Sequence, residues 1–203
     1  MRALISLAAV AAACLPFLLI VIAIFLGALW LARKRGQVAE AVWAGVAEDL
    51  GLTYVSEPGN VHIHGALDGV PVRVEIRYQR DFISHPSHPY TRTIPWMVVM
   101  ATPASPPEGV MVLPKGAKLP KNWEATTFGQ AQLGDKYTVL APPGSAHTRL
   151  LKKKALDVLA ESTVALNYTA GQALWGRTML KATRDGEELK TALHECARLA
   201  AAL

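Results

Sequence analysis

Residues 61–76 read Val61-His62-Ile63-His64-Gly65-Ala66-Leu67-Asp68-Gly69-Val70-Pro71-Val72-Arg73-Val74-Glu75-Ile76. Asp68-Gly69 is a strong two-residue hairpin signal, because a type I′ turn needs positive φ at both central positions. The flanks agree with it. Val61, Ile63, Gly65 and Leu67 alternate with His62, His64 and Ala66, and after the turn Val70, Val72, Val74, Ile76 and Tyr78 alternate with Pro71, Arg73, Glu75, Arg77 and Gln79. A two-residue turn sets the register. Leu67 then faces Val70, Ile63 faces Val74 and Val61 faces Ile76 on an apolar face. His62 faces Glu75 and His64 faces Arg73 on a polar one. A sheet with one covered face is the expected consequence.

Working toward the C-terminus, Gln79 to Arg92 is polar and carries two His-Pro pairs, so a long connection is expected. Thr93 to Ala101 is a nearly continuous apolar run, the mark of a strand covered on both faces. Gly109 to Leu113 and Lys136 to Ala141 are shorter strand candidates around an irregular stretch, Pro114 to Gln132. Ser145 is a candidate N-cap for a helix to about Ala160. Strands are expected over Thr163 to Tyr168 and Ala173 to Leu180. The last helix begins near Asp185, with Leu189, Ala192, Leu193, Cys196, Leu199, Ala200 and Leu203 as its apolar stripe. Segregated strands and helices predict an α+β fold, with a mostly antiparallel sheet and helices packed on one face.

Toward the N-terminus, Val38, Val42, Val46 and Leu50 recur every four positions, which predicts an amphipathic helix ended by Gly51. Gly36 is expected to separate it from what precedes. Ala3 to Ala32 is 30 residues without a charge, closed by Trp30 and by Arg33-Lys34-Arg35. About 20 apolar residues span a bilayer as helix, so a transmembrane helix over about 11–32 is expected. The run is too long for a signal peptide and lacks an A-x-A site before its basic end. The expected organisation is a membrane anchor at 1–35 and an α+β domain at 37–203. Three basic residues flank the C-terminal side of the run, and Arg2 with the amino group flanks the other, which favours a cytoplasmic domain at the inner membrane.

The 203 residues carry 21 Lys+Arg and 16 Asp+Glu. Arg2, Arg33, Lys34 and Arg35 all precede the first acidic residue, Glu40, and the remainder holds 17 basic against 16 acidic residues. The basic balance therefore belongs to the membrane flank, and no nucleic-acid partner is expected. Two cysteines, Cys14 and Cys196, exclude a disulfide scaffold and a four-cysteine zinc site.

His62-x-His64 is the sharpest chemical candidate. Alternate strand positions share a face, two imidazoles so placed can chelate zinc, and Glu75 across from His62 could supply a third ligand. Arg73 beside His64 opposes a cation there, and a solvated His–Glu pair is the plainer reading. No metal or other cofactor is expected. His85 and His88 could approach from the loop, but Ser84-His85-Pro86-Ser87-His88-Pro89 also reads as a proline-stiffened surface segment. His194-Glu195 opens like a zinc helix, but Arg198 stands where the second histidine belongs. There is no G-x-S-x-G elbow, no Walker A sequence and no G-x-G-x-x-G, so the reading leans away from an enzyme. Lys115, Lys118, Lys121 and Trp123 form a basic loop with an aromatic, and Lys152-Lys153-Lys154 a second cluster. Either can be ordinary surface or a contact with anionic headgroups.

Trp43-x3-Ala47-x2-Leu50-Gly51-Leu52, followed by Gly65-x2-Asp68-Gly69-x2-Val72, resembles a pattern in uncharacterised bacterial single-pass membrane proteins with a small α+β domain. The resemblance covers about 30 residues; it implies a bacterial setting and carries over no activity and no catalytic residue. The order of elements is similar to that of type III secretion chaperone-like folds, an analogy of order alone. The expected function is a non-catalytic interaction or scaffold module, held to the bilayer by its first helix and binding a protein partner. The alternatives are a metal-dependent hydrolase on His62, His64 and Glu75, and a lipid-sensing domain.

Overall fold

The computed structural model describes the backbone of residues 2–57, 60–83, 90–126, 131–143, 151–178 and 186–203; side chains are described at 17, 19–28, 30, 37–57, 60–80, 91–125, 133–143, 151–178 and 186–203. The chain divides into two compact units, Met1–Ala41 and Val42–Leu203.

The first unit is helix. Helix α1 runs Arg2–Asp49 without a break at Gly36, so the expected separation there is replaced by continuous helix. One glycine surrounded by helix formers costs only about 1 kcal/mol, too little to interrupt so long a run. Phe17, Leu19, Ile20, Val21, Ile22, Ile24, Phe25, Leu26 and Trp30 are all exposed. Among the described residues no helix is long and apolar enough to cross a membrane; most of the apolar run lies at positions whose side chains are outside them.

The second unit is α+β. Its described strands are β1 (Thr53–Glu57), β2 (Asn60–Leu67), β3 (Val70–Ile83), β4 (Tyr90–Ala101), β5 (Met111–Pro114), β6 (Glu124–Thr126), β7 (Tyr137–Ala141), β8 (Asn167–Thr169) and β9 (Gln172–Thr178). They form one sheet in the order β1-β2-β3-β4-β9-β8-β5-β7-β6, with every pairing antiparallel. The β2–β3 register is the one expected: Leu67 opposes Val70, Ile63 opposes Val74, and His62 opposes Glu75. Asp68 and Gly69 both take positive φ, at 50° and 79°. The β8–β9 hairpin repeats the device at Ala170 and Gly171, with φ of 51° and 76°.

Several boundaries differ from the expectation. The Gln79–Arg92 connection is mostly strand, because β3 and β4 pair from Val72–Ala101 out to Ile83–Tyr90. Cross-strand pairing here satisfies a polar backbone whose side chains alone read as loop; His85 and His88 lie outside the described residues. Strand β1 adds an edge, β6 falls within the stretch expected to be irregular, and helix α2 (Ala131–Lys136) begins at the end of that stretch and takes in Lys136, where a strand was expected to start. Helix α3 is Lys153–Glu161, starting after Lys152, which makes no side-chain cap bond; Ser145 lies outside the described residues. Helix α4 is Gly186–Ala202, as its apolar period predicts.

Helix α4 packs on β3, β4 and β9 and on α3. Its stripe of Leu189, Leu193, Cys196 and Leu199 meets Ile63, Val74, Met97, Val99 and Trp175 from the sheet and Trp43 and Val46 from α1, all buried. Fully burying an aliphatic side chain of this kind stabilises by about 1.5–3 kcal/mol, so this face holds the domain together. Lys190 ties the helices, lying 2.7 Å from Asp49 and 2.9 Å from Glu187. Arg177 pairs with Glu188 across β9 and α4.

Candidate functional site

The sheet has a second face. Strict alternation turns Arg73, Glu75 and Arg77 away from the core, and register sets them opposite Met100, Val98 and Trp96 of β4. Met100 and Val98 in turn oppose Leu174 and Gly176 of β9. Charged side chains therefore lie beside apolar ones. Met100 is buried here, outside the main core cluster, while Trp96, Val98 and Leu174 stay half-exposed. Met111, half-exposed, and Leu140, buried, continue the apolar strip across β5 and β7.

The charged half is organised around one carboxylate. Glu75 accepts from Arg77 Nε at 2.6 Å and lies 2.9 Å from Arg73 Nε. The guanidinium of Arg77 also reaches the Met100 sulfur, 3.0 Å from Nη2, and so lies across the apolar strip. Among the described residues two cations share this one anion, which leaves the three side chains with one positive charge in excess. The Nε1 of Trp96 is buried and has no hydrogen-bond partner among the described residues.

His62 and His64 share this face, with ring centroids 5.1 Å apart and planes tilted by 30°. Nδ1 of His62 hydrogen-bonds Asn60 Oδ1 at 3.1 Å. Glu75 lies opposite His62 in register, but its oxygens are taken by Arg73 and Arg77. A carboxylate held by two guanidiniums is a poor ligand, since metal binding would have to break both pairs. Among the described residues no group of three or more His, Cys, Asp or Glu side chains is placed to hold a metal ion. The geometry suits recognition of an anion beside an apolar surface better than metal chemistry. A cavity of about 360 Å³ opens beside it, lined by Asn60, Val61, Arg73, Glu75, Ile76 and Tyr78.

A second polar cluster, not foreseen from sequence, lies inside the fold. Glu195 on α4 is buried, and its carboxylate accepts from Ser162 Oγ, from Thr163 N–H at 3.1 Å, from Thr163 Oγ1 at 2.8 Å and from Val164 N–H at 3.3 Å. Burial pushes its pKa up, but these hydrogen bonds outweigh burial and hold it below its ordinary value of 4.5. The cluster explains why β8 starts at Asn167 and not at Thr163: the Thr163 and Val164 amides are given to Glu195. Lys136 Nζ donates to Ala160 O at 2.7 Å, and Tyr137 Oη donates to Val164 O at 3.1 Å and accepts from Leu166 N–H at 3.2 Å. These bonds fasten the segment after α3 to the end of α2 and to β7. Cys196 is buried beside Glu195; burial and that negative charge push its thiol pKa up, so it stays protonated and unreactive. His194 is exposed and takes no part in the cluster.

Comparison of the chain with protein-family models, with curated proteins and with solved structures finds no match.

Proposed function

We propose that this chain is a single-pass inner-membrane protein whose α+β domain is a non-catalytic interaction module on the cytoplasmic side. The anchor rests on the uncharged run Ala3 to Ala32 and its basic border. The observation that carries the reading is the exposure of large apolar side chains along α1, with Phe17 at 72%, Ile24 at 67% and Phe25 at 63%. Side chains of that size so exposed need lipid or protein around them. The bacterial setting is part of the same proposal.

The outer sheet face is the surface offered to a protein partner. It sets Trp96, Val98 and Leu174 beside Arg73 and Arg77. Such a face fits a segment that brings a carboxylate to the excess guanidinium charge and apolar side chains to the strip.

Two measurements test this. Alkaline extraction of native membranes should leave the chain in the membrane pellet, and its mature mass should include the apolar run; release into the aqueous fraction refutes the anchor. A photo-crosslinking residue at position 98 should give one reproducible adduct in cells, lost with Arg73→Glu. Absence of any reproducible adduct from this face refutes the module.

A further inference from the structure

Between β5 and β6 the chain runs Pro114-Lys115-Gly116-Ala117-Lys118-Leu119-Pro120-Lys121-Asn122-Trp123. These ten residues hold three lysines and no acidic residue. The structure gives the segment a definite shape. Ala117 N–H closes a turn onto Pro114 O at 3.1 Å, and Lys115 N–H bonds Lys136 O at 2.8 Å. Gly116 and Asn122 take φ of 84° and 66°, turning the chain at each end of the tip. Lys118, Leu119 and Lys121 are all exposed, and Trp123 is half-buried. Within Val42–Leu203 Leu119, at 48%, is one of two large apolar side chains as exposed as this among the described residues; the other is Tyr78. Lys115 lies 3.6 Å from Asp135, both side chains being well exposed, so that pair is weak.

We propose that this loop is a contact for an anionic bilayer surface, with Lys115, Lys118 and Lys121 at the headgroups and Leu119 entering the interface between them. The inference rests on the membrane reading above and deepens it. An aliphatic side chain at the tip of a lysine cluster separates lipid from other polyanions. A lipid interface rewards its burial, whereas a phosphate backbone or an acidic polypeptide surface rewards only the charge. The two prolines limit the conformations available to the tip when it is free, which lowers the cost of ordering it on a surface.

The test uses the full chain with Cys14→Ser, reconstituted in vesicles of neutral lipid or of neutral lipid with about one third anionic lipid. One fluorescent label is placed at Ala117→Cys and, in a separate preparation, at Ile22→Cys. Each lysine near an anionic surface is worth about a fivefold change in the bound-to-free ratio. The Ala117 label should be shielded from an aqueous quencher in anionic vesicles and open in neutral ones. High salt should weaken the shielding, and Lys118→Gln with Lys121→Gln should lower the bound-to-free ratio by about 25-fold. Leu119→Ser should weaken it without changing the salt dependence. Equal access in both vesicles while the Ile22 label sits in lipid overturns the loop contact alone. So does shielding that ignores the lysine substitutions, or shielding given by polyglutamate or an oligonucleotide and not by anionic lipid. Aqueous exposure of the Ile22 label overturns the membrane reading instead.

Discussion

Replacing Glu195 should destabilise the domain strongly, since with Ser162 it makes up the buried polar and charged residues among those described. The carboxylate is buried and takes four donors from Ser162, Thr163 and Val164. Hydrogen bonds to a charged group contribute about 1.5–3 kcal/mol each in isolation, but the 162–164 segment can relax and admit water once the acceptor is gone. The net loss for Glu195→Ala is therefore about 3–5 kcal/mol, the range for breaking a buried charged network. Glu195→Gln keeps one acceptor oxygen and turns an amide N–H toward a donor, so it should lose about 2 kcal/mol. The pH dependence has a definite sign. The folded-state pKa lies below the ordinary 4.5, so this contribution is complete above that pH and is lost as pH falls through the folded value. Urea unfolding of the full chain in mild detergent, followed by the fluorescence of its five tryptophans, measures all three quantities. Wild type should lose stability below about pH 4.5 more steeply than Glu195→Gln. If Glu195→Ala unfolds within about 0.5 kcal/mol of wild type, the four bonds do not hold the segment and the reasoning fails.

Other outcomes follow from single residues. Ala170 adopts φ of 51° at an exposed turn position, so Ala170→Gly should raise stability by about 0.5–1 kcal/mol, read as a higher urea midpoint. Gly65 has φ of 155°, and a Cβ there would stand 2.8 Å from Leu52 Cδ2; Gly65→Val should lose about 1–3 kcal/mol in the same assay. Cys196, in a Cys14→Ser background, should react with a thiol reagent about a hundredfold more slowly folded than in denaturant, because burial keeps it a thiol. Zinc titrated calorimetrically at micromolar concentration should give no heat from His62 and His64, since Glu75 is held by Arg73 and Arg77; heat abolished by His62→Ala would contradict this.

The hairpin at residues 61–76, the stripe of α4 and the uncharged run before Arg33 were legible in the sequence because each depends on local rules. A two-residue turn sets a register, a period of two or of 3.6 marks a covered face, and an uncharged run of this length has few readings. Strand order was not legible. Period alone cannot say that β9 lies beside β4 or that β8 pairs with β5, because those neighbours are chosen by which apolar faces can be buried together across long stretches of chain. The outer face was half legible. Alternation put His62, His64, Arg73 and Glu75 on it, but only the fold brought Arg77 across Met100 and closed two guanidiniums on Glu75. Glu195 was the least visible. Nothing near it in sequence marks a buried carboxylate, and its charge is tolerated only because tertiary packing delivers the donors of residues 162–164 to its helix.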